Sequence, residues 1–282
     1  MKIQVLSLSE IQKLLPDRDP FTHKGDYGRI LLLCGSRGYT GAAALAAMGA
    51  LRCGAGLVYL GVPDCIYEIE AVKLTEPVVF PLPSCKGMLD ISAWDAIVHR
   101  LPDMDAVLIG PGLGCSNGTR DIVHSILKTY PKPVVLDADG INLMRNHMDI
   151  LRDRTAPTIL TPHMGEFARI GGNSELPSDI AAAAMAQEYG VIVLLKGHHT
   201  VITDGITTYR NHTGNAGMAV GGCGDVLAGI ITGLLGQGVT PLQAAAWGAL
   251  LHGAAGDLCA QSIGQYGMLP SDMLSVLPRL LK

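Results

Sequence analysis

Short, fully apolar segments alternate along most of the chain with longer segments whose apolar residues recur at helical spacing. Apolar segments of strand length are typical of strands that are buried on both faces of a parallel sheet. The predicted strands are 30–34, 57–60, 78–80, 106–109, 134–136, 158–160 and 191–195. The predicted helices are 9–15, 40–52, 94–101, 119–130, 180–189, 226–235, 240–259 and a C-terminal helix. This order predicts a single α/β domain over residues 1–282, with a doubly wound, mainly parallel sheet and helices on both faces.

Two shorter features complete the predicted fold. Ser7 or Ser9 is expected to cap the first helix, which runs through Leu15 and ends at Pro16. Residues 200–209 contain two short apolar segments around an Asp-Gly turn, and this pattern predicts an antiparallel hairpin at one edge of the sheet.

The stretch TGNAGMAVGGCGDVLAGIITGLLG, residues 213–236, holds the densest run of glycines before a predicted helix. On that helix Gly229 and Gly233 are expected to let a neighbouring element approach closely, on a face apart from the apolar stripe. Before it, backbone N–H groups and the helix N-terminus predict an anion cradle, a name we use for residues 221–225. The carboxylate of Asp225 would repel a phosphate there, unless its role is to take a proton from the group that attacks the phosphate. The alternative is that Asp225 only caps the helix, as Asp often does.

Four further glycine-rich or polar loops follow predicted strands, at residues 35–41, 110–114, 161–166 and 196–200. Because ligands of open α/β sheets bind beyond the carboxyl ends of strands, we expect these loops and the anion cradle to converge on one site.

The polar side chains of these strand ends each allow two interpretations. Lys196 would bind a phosphate or be a solvated lysine, and Thr200 would bind a nucleotide oxygen. His163 would belong to the site or be an ordinary surface histidine. Asp137 and Asp139 would hold a metal through water or simply cap and turn the chain.

Composition and charge narrow the class of protein. Hydrophobic residues make up 48% and charged residues 16%, which favours a large core over disorder. A net charge of −4 provides no general attraction to nucleic acid or anionic lipid, so neither is an expected partner. The 7 scattered cysteines without a CxxC pair predict reduced thiols, a cytoplasmic location and no structural zinc. We expect no signal peptide and no membrane span.

Other nucleotide and hydrolase motifs fit less well. The sequence lacks the GxxxxGK[ST] and GxGxxG phosphate motifs. Residues 114–118, GCSNG, match the GxSxG pattern of a serine hydrolase with Ser116 as nucleophile, but residues 111–113 separate this turn from its strand. A non-catalytic nucleotide-binding module would need no carboxylate at the anion cradle, and Asp225 argues against it.

Taken together, the motifs resemble those of the ADP/ATP-dependent NAD(P)H-hydrate dehydratases, members of the ribokinase-like superfamily. Residues 219–225, AVGGCGD, look like the GxGD anion-hole motif of ribokinase-like enzymes. The other matching pieces, in chain order, are 23–25 (HKG), 35–43 (GSRGYTGAA), 110–114 (GPGLG), 160–166 (LTPHMGE), 196–200 (KGHHT) and 215–219 (NAGMA). The family usually has Thr where this chain has Val220, and often Thr where it has Cys223, but the backbone amides of the cradle are retained.

The resemblance implies a ribokinase-like fold and the repair of a nicotinamide cofactor in which water has added across a ring double bond. ADP or ATP would phosphorylate the ring hydroxyl of the S epimer of NADHX or NADPHX. The phosphate would then leave, assisted by the neighbouring ring nitrogen, and NAD(P)H, phosphate and, from ADP, AMP would result. Asp225 would be the base on the hydroxyl, while Lys196 and the amides of Gly222, Cys223 and Gly224 would hold the transferred charge.

The same resemblance divides the other site residues between two substrates. The nucleotide would contact Lys196, Gly197, His198, His199, Thr200 and Gly224. The hydrate would contact Ala43, one or both of Gly112 and Gly114, His163 and Asp225. A Mg²⁺ ion is expected on the phosphates, held mostly by phosphate and water oxygens, so the sequence names no dedicated metal ligand.

The resemblance also implies a cytoplasmic homotetramer. Many members carry an N-terminally fused epimerase domain, for which this chain has no room, so we expect functional pairing with a separate NAD(P)H-hydrate epimerase. The alternative within the same fold is a small-molecule kinase for a sugar, vitamin or thiamine-precursor alcohol, whose phosphorylated product would be stable.

Overall fold

The computed structural model describes residues 3–11, 13–16 and 18–281, and strands and helices alternate through them. The strands of this part are β1 (Ile3–Val5), β2 (Arg29–Leu33), β3 (Leu57–Pro63), β4 (Val78–Leu82), β5 (Ser84–Cys85), β6 (Met88–Leu89), β7 (Ala106–Ile109), β8 (Val134–Leu136), β9 (Thr158–Leu160), β10 (Ile192–Leu195), β11 (Val201–Thr203) and β12 (Thr208–Arg210). Its α-helices are α1 (Leu8–Ile11), α2 (Thr40–Arg52), α3 (Tyr67–Lys73), α4 (Trp94–Val98), α5 (Asn117–Thr129), α6 (Asp139–Asn142), α7 (Asp149–Arg152), α8 (Met164–Arg169), α9 (Ser178–Tyr189), α10 (Cys223–Gly236), α11 (Pro241–Ile263) and α12 (Pro270–Leu280). No helix among the described residues is both long and apolar enough to cross a bilayer.

Ten strands form one sheet in the order β1-β12-β11-β10-β9-β8-β7-β2-β3-β4, and β5 and β6 form a separate hairpin. Neighbouring strands of the large sheet are parallel except where β11 pairs with β10 and β12. The chain order reverses between β2 and β7, because β3 and β4 lie to one side of β2 and β7 to β10 lie to the other. We call the crevice at the carboxyl ends of β2 and β7 the switch point.

The two faces of the sheet explain why the strands are continuous apolar segments. Along β2, Ile30 and Leu32 belong to one buried cluster, which also contains residues of α2, α10 and α11. Leu31 and Leu33 point into the other cluster, which contains residues of α5 and α9. Since side chains alternate between faces along a strand, a sheet covered on both sides requires an apolar residue at every position. The predicted doubly wound α/β fold is therefore confirmed.

α10 and α2 pack with almost no space between their backbones. A Cβ atom at Gly229 would lie 2.1 Å from the carbonyl oxygen of Ala46, and one at Gly233 would lie 2.5 Å from Sγ of Cys53. Both distances are far below van der Waals contact, so only glycine allows this approach. The close neighbour expected beside Gly229 and Gly233 is thus identified as α2.

The predicted elements differ from the structure mainly near the amino terminus and in short helices. The first helix ends at Ile11 rather than Leu15, and Leu14 N donates to Ile11 O at 3.0 Å in a tighter turn, while position 12 lies outside the described residues. The sequence reasoning missed β1, α3, α6 and α7. β1 pairs with β12 and lies outside the predicted hairpin at that edge. That residues 1–282 form a single domain stays a prediction.

Candidate active site

A cavity of about 910 Å³ opens at the carboxyl end of β10, between the anion cradle and α11. Its wall includes one residue of the loop after β9, the loop after β10 and the first turn of α10. The predicted site residues that line it are His163, Lys196, Gly197, His198, His199, Thr200, Cys223 and Gly224. The structure therefore brings the predicted nucleotide residues together around one cavity.

The anion cradle has free N–H groups at the start of α10. Gly222 is the N-cap, with φ of 101°, a conformation that favours glycine, and a Cβ there would lie 2.5 Å from Cδ1 of Leu45. Cys223 N donates to Val220 O at 3.4 Å and Val226 N to Gly222 O at 3.2 Å. Among the described residues, no backbone carbonyl accepts from the N–H groups of Gly224 or Asp225. An anion at this helix N-terminus would meet two unpaired donors and the positive end of the helix dipole.

Asp225 lies beside the cavity rather than in its wall. It occupies the first turn of α10, not the N-cap, and its carboxylate forms no hydrogen bond with the described residues, so the helix-cap interpretation is wrong. Its charge helps to raise the pKa of Cys34, the residue that directly follows β2, so the carboxylate lies within electrostatic reach of the carboxyl end of that strand. Burial and the neighbouring Asp137 carboxylate raise the pKa of Asp225 to about 7, against an opposing effect of Lys196. A carboxyl group with this pKa is suited to accept a proton at neutral pH.

Lys196 is held in place by carboxylates. Its Nζ lies 2.8 Å from Oδ1 of Asp137 and 3.9 Å from Oε2 of Glu166, and its side chain is 21% exposed. Burial lowers the pKa of Lys196, but Asp137, Glu166 and Asp225 outweigh this effect, so the pKa is raised and the ammonium stays charged. A Cβ at Gly224 would lie 3.5 Å from that Nζ. The solvated interpretation of Lys196 is wrong, because the ammonium lies against the anion cradle.

His163 is both a cavity residue and a helix cap. Its Nδ1 accepts hydrogen bonds from the backbone N–H groups of Gly165 at 3.0 Å and Glu166 at 3.2 Å. The carboxylate of Glu166 accepts in return from His163 N at 2.9 Å, which completes a capping box at the start of α8. The cap fixes Nδ1 as an acceptor, so the neutral ring carries its proton on Nε2.

Three histidine rings pack together on one part of the cavity wall. The rings of His198 and His199 are stacked with centroids 4.0 Å apart, and His199 and His212 have centroids 4.4 Å apart. Burial lowers the pKa of His199, and its neighbours His198, His212 and Arg210 lower it further. Thr200 donates from Oγ1 to Gly197 O at 3.2 Å and fixes the loop. This wall presents flat aromatic surface to a ligand.

Ala43, Gly112 and Gly114, predicted to contact the hydrate, lie outside the cavity wall and close to the switch point. Ala43 is fully buried in α2. Gly112 accepts a hydrogen bond through its carbonyl oxygen from Ser36 Oγ at 2.7 Å, and Gly114 N donates to Oδ2 of Asp139 at 2.8 Å. The structure thus groups these three residues around the switch point, apart from the nucleotide residues.

The two weaker chemical hypotheses fail on local contacts. Ser116 is the N-cap of α5, where its Oγ accepts from Thr119 N at 3.1 Å, so it does not occupy a nucleophile elbow. Asp137 binds Lys196 while Asp139 binds Gly114 N, so the two carboxylates serve different partners rather than one metal.

Among the polar residues of the cavity wall that the sequence reasoning missed are Asn211, His212 and His252. Asn211 directly follows β12 and donates from Nδ2 to Ala249 O at 3.1 Å, which ties this wall to α11. His252 lies on α11 and is 8% exposed. Its signal was present in the sequence, because it interrupts the apolar stretch 244–255.

Comparison with known proteins gives a consistent result. The family described as NAD(P)H-hydrate dehydratase matches residues 30–279. The bifunctional NAD(P)H-hydrate repair enzyme Nnr of Moorella thermoacetica is 44% identical over 99% of this chain and 54% of that protein. The chain spans about half the length of the curated relatives it matches.

Solved structures agree with the sequence comparison. The ADP/ATP-dependent NAD(P)H-hydrate dehydratase of Bacillus subtilis, co-crystallised with ATP and Mg²⁺, is 30% identical with a TM-score of 0.82, covering 99% of this chain and 98% of that one. A ribokinase-like superfamily protein of Enterococcus faecalis is 27% identical with a TM-score of 0.84, covering 99% and 95%. The fold is accordingly ribokinase-like.

Proposed function

The chain belongs to the NAD(P)H-hydrate dehydratase family, and on that premise we propose that it uses ADP or ATP to dehydrate the S epimer of NADHX or NADPHX. The Bacillus subtilis relative supports this activity, since it carries the name of the reaction and was crystallised with ATP and Mg²⁺. The proposed product is NAD(P)H, with AMP and phosphate as the other products when ADP is the donor.

One observation carries the proposal: Asp225 adjoins the cavity through Gly224 and lies within electrostatic reach of the carboxyl end of β2. Gly224 lines the cavity and the next residue does not, while the charge of Asp225 acts on Cys34 at the end of β2. A nucleotide in the cavity would present its terminal phosphate to the anion cradle, and a hydrate at the switch point would present its hydroxyl to Asp225. The loops that hold Gly112 and Gly114, and helix α2 that holds Ala43, would then border the hydrate.

In the proposed first step Asp225 takes the proton of the ring hydroxyl, and the hydroxyl oxygen attacks the terminal phosphorus of ADP. The bond from that phosphorus to the bridging oxygen breaks, and AMP leaves. Lys196 and the free N–H groups of Gly224 and Asp225 would stabilise the transferred charge. The pKa of Asp225, about 7, matches it to this proton transfer.

The second step requires little from the protein. The lone pair of the ring nitrogen expels the phosphate together with the former hydroxyl oxygen. The adjacent ring carbon then loses a proton to solvent, which restores the dihydronicotinamide. Phosphate is a far better leaving group than hydroxide, which explains why a kinase-like site would serve a dehydration. His163 lines the cavity, and its Nε2 lies 3.5 Å from Oε1 of Glu166, so its proposed contact with the hydrate would have to be made from the cavity side of Asp225.

Mg²⁺ is proposed to arrive with the nucleotide phosphates and to neutralise charge on them. Asp137 and Glu166 lie beside Lys196 at the phosphate end of the cavity, and hard carboxylate oxygens suit Mg²⁺. The described residues contain no group of three or more acidic, histidine or cysteine side chains placed to hold a metal ion.

The other expectations from the resemblance are retained as proposals. We infer a cytoplasmic homotetramer that works with an NAD(P)H-hydrate epimerase, and relatives that are named bifunctional repair enzymes support the pairing.

A direct assay separates this function from that of a small-molecule kinase. Protein supplied with NADHX, Mg²⁺ and either ADP or ATP is expected to restore the absorbance of NADH, and the faster nucleotide is the donor. A stable phosphorylated product, with no NADH, would favour the kinase. Absence of reaction with NADHX and NADPHX under both nucleotides would refute the proposal.

A further inference from the structure

His252 is a buried polar residue of the cavity wall that no step above uses. It lies on α11, against the first turn of α10, and it contributes to the same wall as Lys196 and Gly224. The side of α11 that carries it is covered by the loop before the anion cradle. A Cβ at the adjacent Gly253 would lie 2.2 Å from Oγ1 of Thr213. His252 therefore sits where this loop, the anion cradle and α11 meet.

The Nε2 atom of His252 is buried and has no hydrogen-bond partner among the described residues. Only two other buried side-chain atoms of that part of the chain share this state, Oε2 of Glu70 and Nε1 of Trp247. Neither of those residues lines the cavity. An unpaired polar atom in a native protein calls for an explanation, and a partner supplied by a ligand is one.

The ring is neutral, and its contacts indicate which nitrogen carries the proton. Burial lowers the pKa of His252 to about 4, the Cys223 backbone opposes this effect, and Lys196 adds to it. Because Nε2 has no partner, the interaction with the Cys223 backbone falls to Nδ1. A proton on Nδ1 leaves a lone pair on Nε2, which makes that atom a hydrogen-bond acceptor.

The acceptor character excludes a contact with phosphate and favours a hydroxyl group. Phosphate oxygens of a nucleotide offer no proton, whereas the ribose hydroxyls do. With the terminal phosphate at the anion cradle, the ribose is the next part of the nucleotide to donate a hydrogen bond. His252 lies where the anion cradle meets the loop before it, because the adjacent Gly253 abuts Thr213, so a nucleotide that extends from the cradle along this wall passes His252.

We propose that His252 accepts a hydrogen bond from a ribose hydroxyl of the bound nucleotide, and so selects ribonucleotides over deoxyribonucleotides. This assignment rests on the proposed use of ADP or ATP. Because Nε2 is shielded from solvent, the contact requires the imidazole to turn slightly towards the nucleotide.

Calorimetric titration of ADP, 2′-deoxy-ADP and 3′-deoxy-ADP tests the assignment. The parent protein is expected to bind ADP on the order of five- to tenfold more tightly than at least one of the deoxy analogues. His252→Leu is expected to weaken ADP to the affinity of that analogue and to leave the analogue itself unchanged. The Leu variant loses the unpaired Nε2 and also the interaction of Nδ1 with the Cys223 backbone, two effects that oppose each other, so its melting temperature should stay close to that of the parent.

Two further variants control the measurement. His252→Gln places an amide acceptor near the position of Nε2 and is expected to restore part of the preference for ADP. Trp247→Phe removes the other unpaired nitrogen of α11 without touching the cavity, and it should bind all three nucleotides as the parent does.

Several results would overturn the inference. Leu and Gln variants that retain the preference for ADP would show that another group contacts the hydroxyl. An equal loss of ADP and of both analogues, with a lower melting temperature, would assign His252 to the structure of the wall. If the parent protein restores NADH, either of these two results would leave the proposed function intact. A parent protein that binds no adenine nucleotide would overturn both the inference about His252 and the proposed function.

Discussion

The cavity lies at the carboxyl end of β10 and the switch point at the carboxyl ends of β2 and β7, and the two differ in how their polar groups are satisfied. At the cavity, the N–H of Gly224 and Nε2 of His252 have no partner within the described residues. At the switch point, Gly35 N donates to Pro111 O at 2.8 Å, and Gly114 N donates to the Asp139 carboxylate.

This difference indicates that the cavity is the half of the site that is already arranged for its ligand. Buried polar groups without partners are rare, so a cluster of them marks where ligand atoms complete the hydrogen bonding. Polar groups that already form hydrogen bonds within the protein, such as those at the switch point, belong to its structural framework. The nucleotide half can therefore be recognised from its unpaired polar groups, whereas the hydrate half is recognised from Asp225 and the family resemblance.

Asp225→Asn gives the largest expected effect, because it removes the group that joins the two halves. The amide keeps the shape but does not accept the proton, so activity should fall by about 10²–10⁴-fold while ADP affinity is kept. Steady-state turnover and ADP calorimetry measure the two effects. Turnover within tenfold of the parent would show that the carboxylate does not act as the base.

Lys196→Ala tests the cavity half. Its loss should weaken ADP binding and also leave the Asp137 carboxylate buried without its partner, at a cost of about 3–5 kcal/mol in the free energy of unfolding. The double variant with Asp137→Asn should recover much of the stability and none of the ADP affinity. Denaturant unfolding and calorimetry check these results, and unchanged ADP affinity in both variants would remove Lys196 from the site.

The ionisation of Asp225 also predicts that catalytic activity depends on pH. With a pKa of about 7 the base is lost as pH falls, so kcat/KM should drop about 50-fold between pH 7 and pH 5 if this ionisation alone controls it. A profile that stays flat down to pH 5 would contradict the assignment.

Stability should respond to the same ionisation in the opposite direction. Because the folded pKa is above the unfolded value, the folded state binds the extra proton, and stability falls as pH rises from about 4 to about 7. Asp225→Asn removes that cost, so the variant should be more stable than the parent at pH 8, by at most about 4 kcal/mol, and the difference should vanish near pH 4. Melting curves across this range measure it, and an Asn variant less stable at pH 8 would contradict the raised pKa.

Gly229→Ala tests the close packing of α10 on α2, the two helices that carry Asp225 and Ala43. The new methyl group would collide with the Ala46 carbonyl, and overpacking of this kind costs about 1–3 kcal/mol. Gly41→Ala is the matched control on α2, because nothing lies within 4 Å of its Cβ position, and it should change stability by at most about 1 kcal/mol, in the stabilising direction. Equal effects of the two substitutions in thermal unfolding would mean that α10 and α2 are less closely packed than described.

The sequence predicted best where the physical constraint is local and repeated. Residues 106–109, 134–136 and 158–160 match their strands because burial on both faces leaves Thr158 as their only polar position. Short helices such as α6 and α7, of four residues each, offer too few positions for a helical period, and the sequence reasoning missed them.

The candidate site was predicted as a set of loops but not as a set of contacts. Lys196 and Asp137 are 59 residues apart, and nothing in either segment indicates that one neutralises the other. The separation of Ala43, Gly112 and Gly114 from the cavity is likewise a result of strand order, since their loops follow β2 and β7 while the cavity lies at β10.

The fate of one oxygen atom tests the central claim most directly. NADHX labelled with oxygen-18 at the ring hydroxyl, incubated with the protein, ADP and Mg²⁺, should release one labelled phosphate and one AMP for each NADH formed. The label follows the hydroxyl oxygen into the phosphate, because that oxygen attacks phosphorus and the carbon–oxygen bond breaks afterwards. Label found in water, with unlabelled phosphate, would contradict phosphorylation of the hydroxyl and with it the proposed role of Asp225.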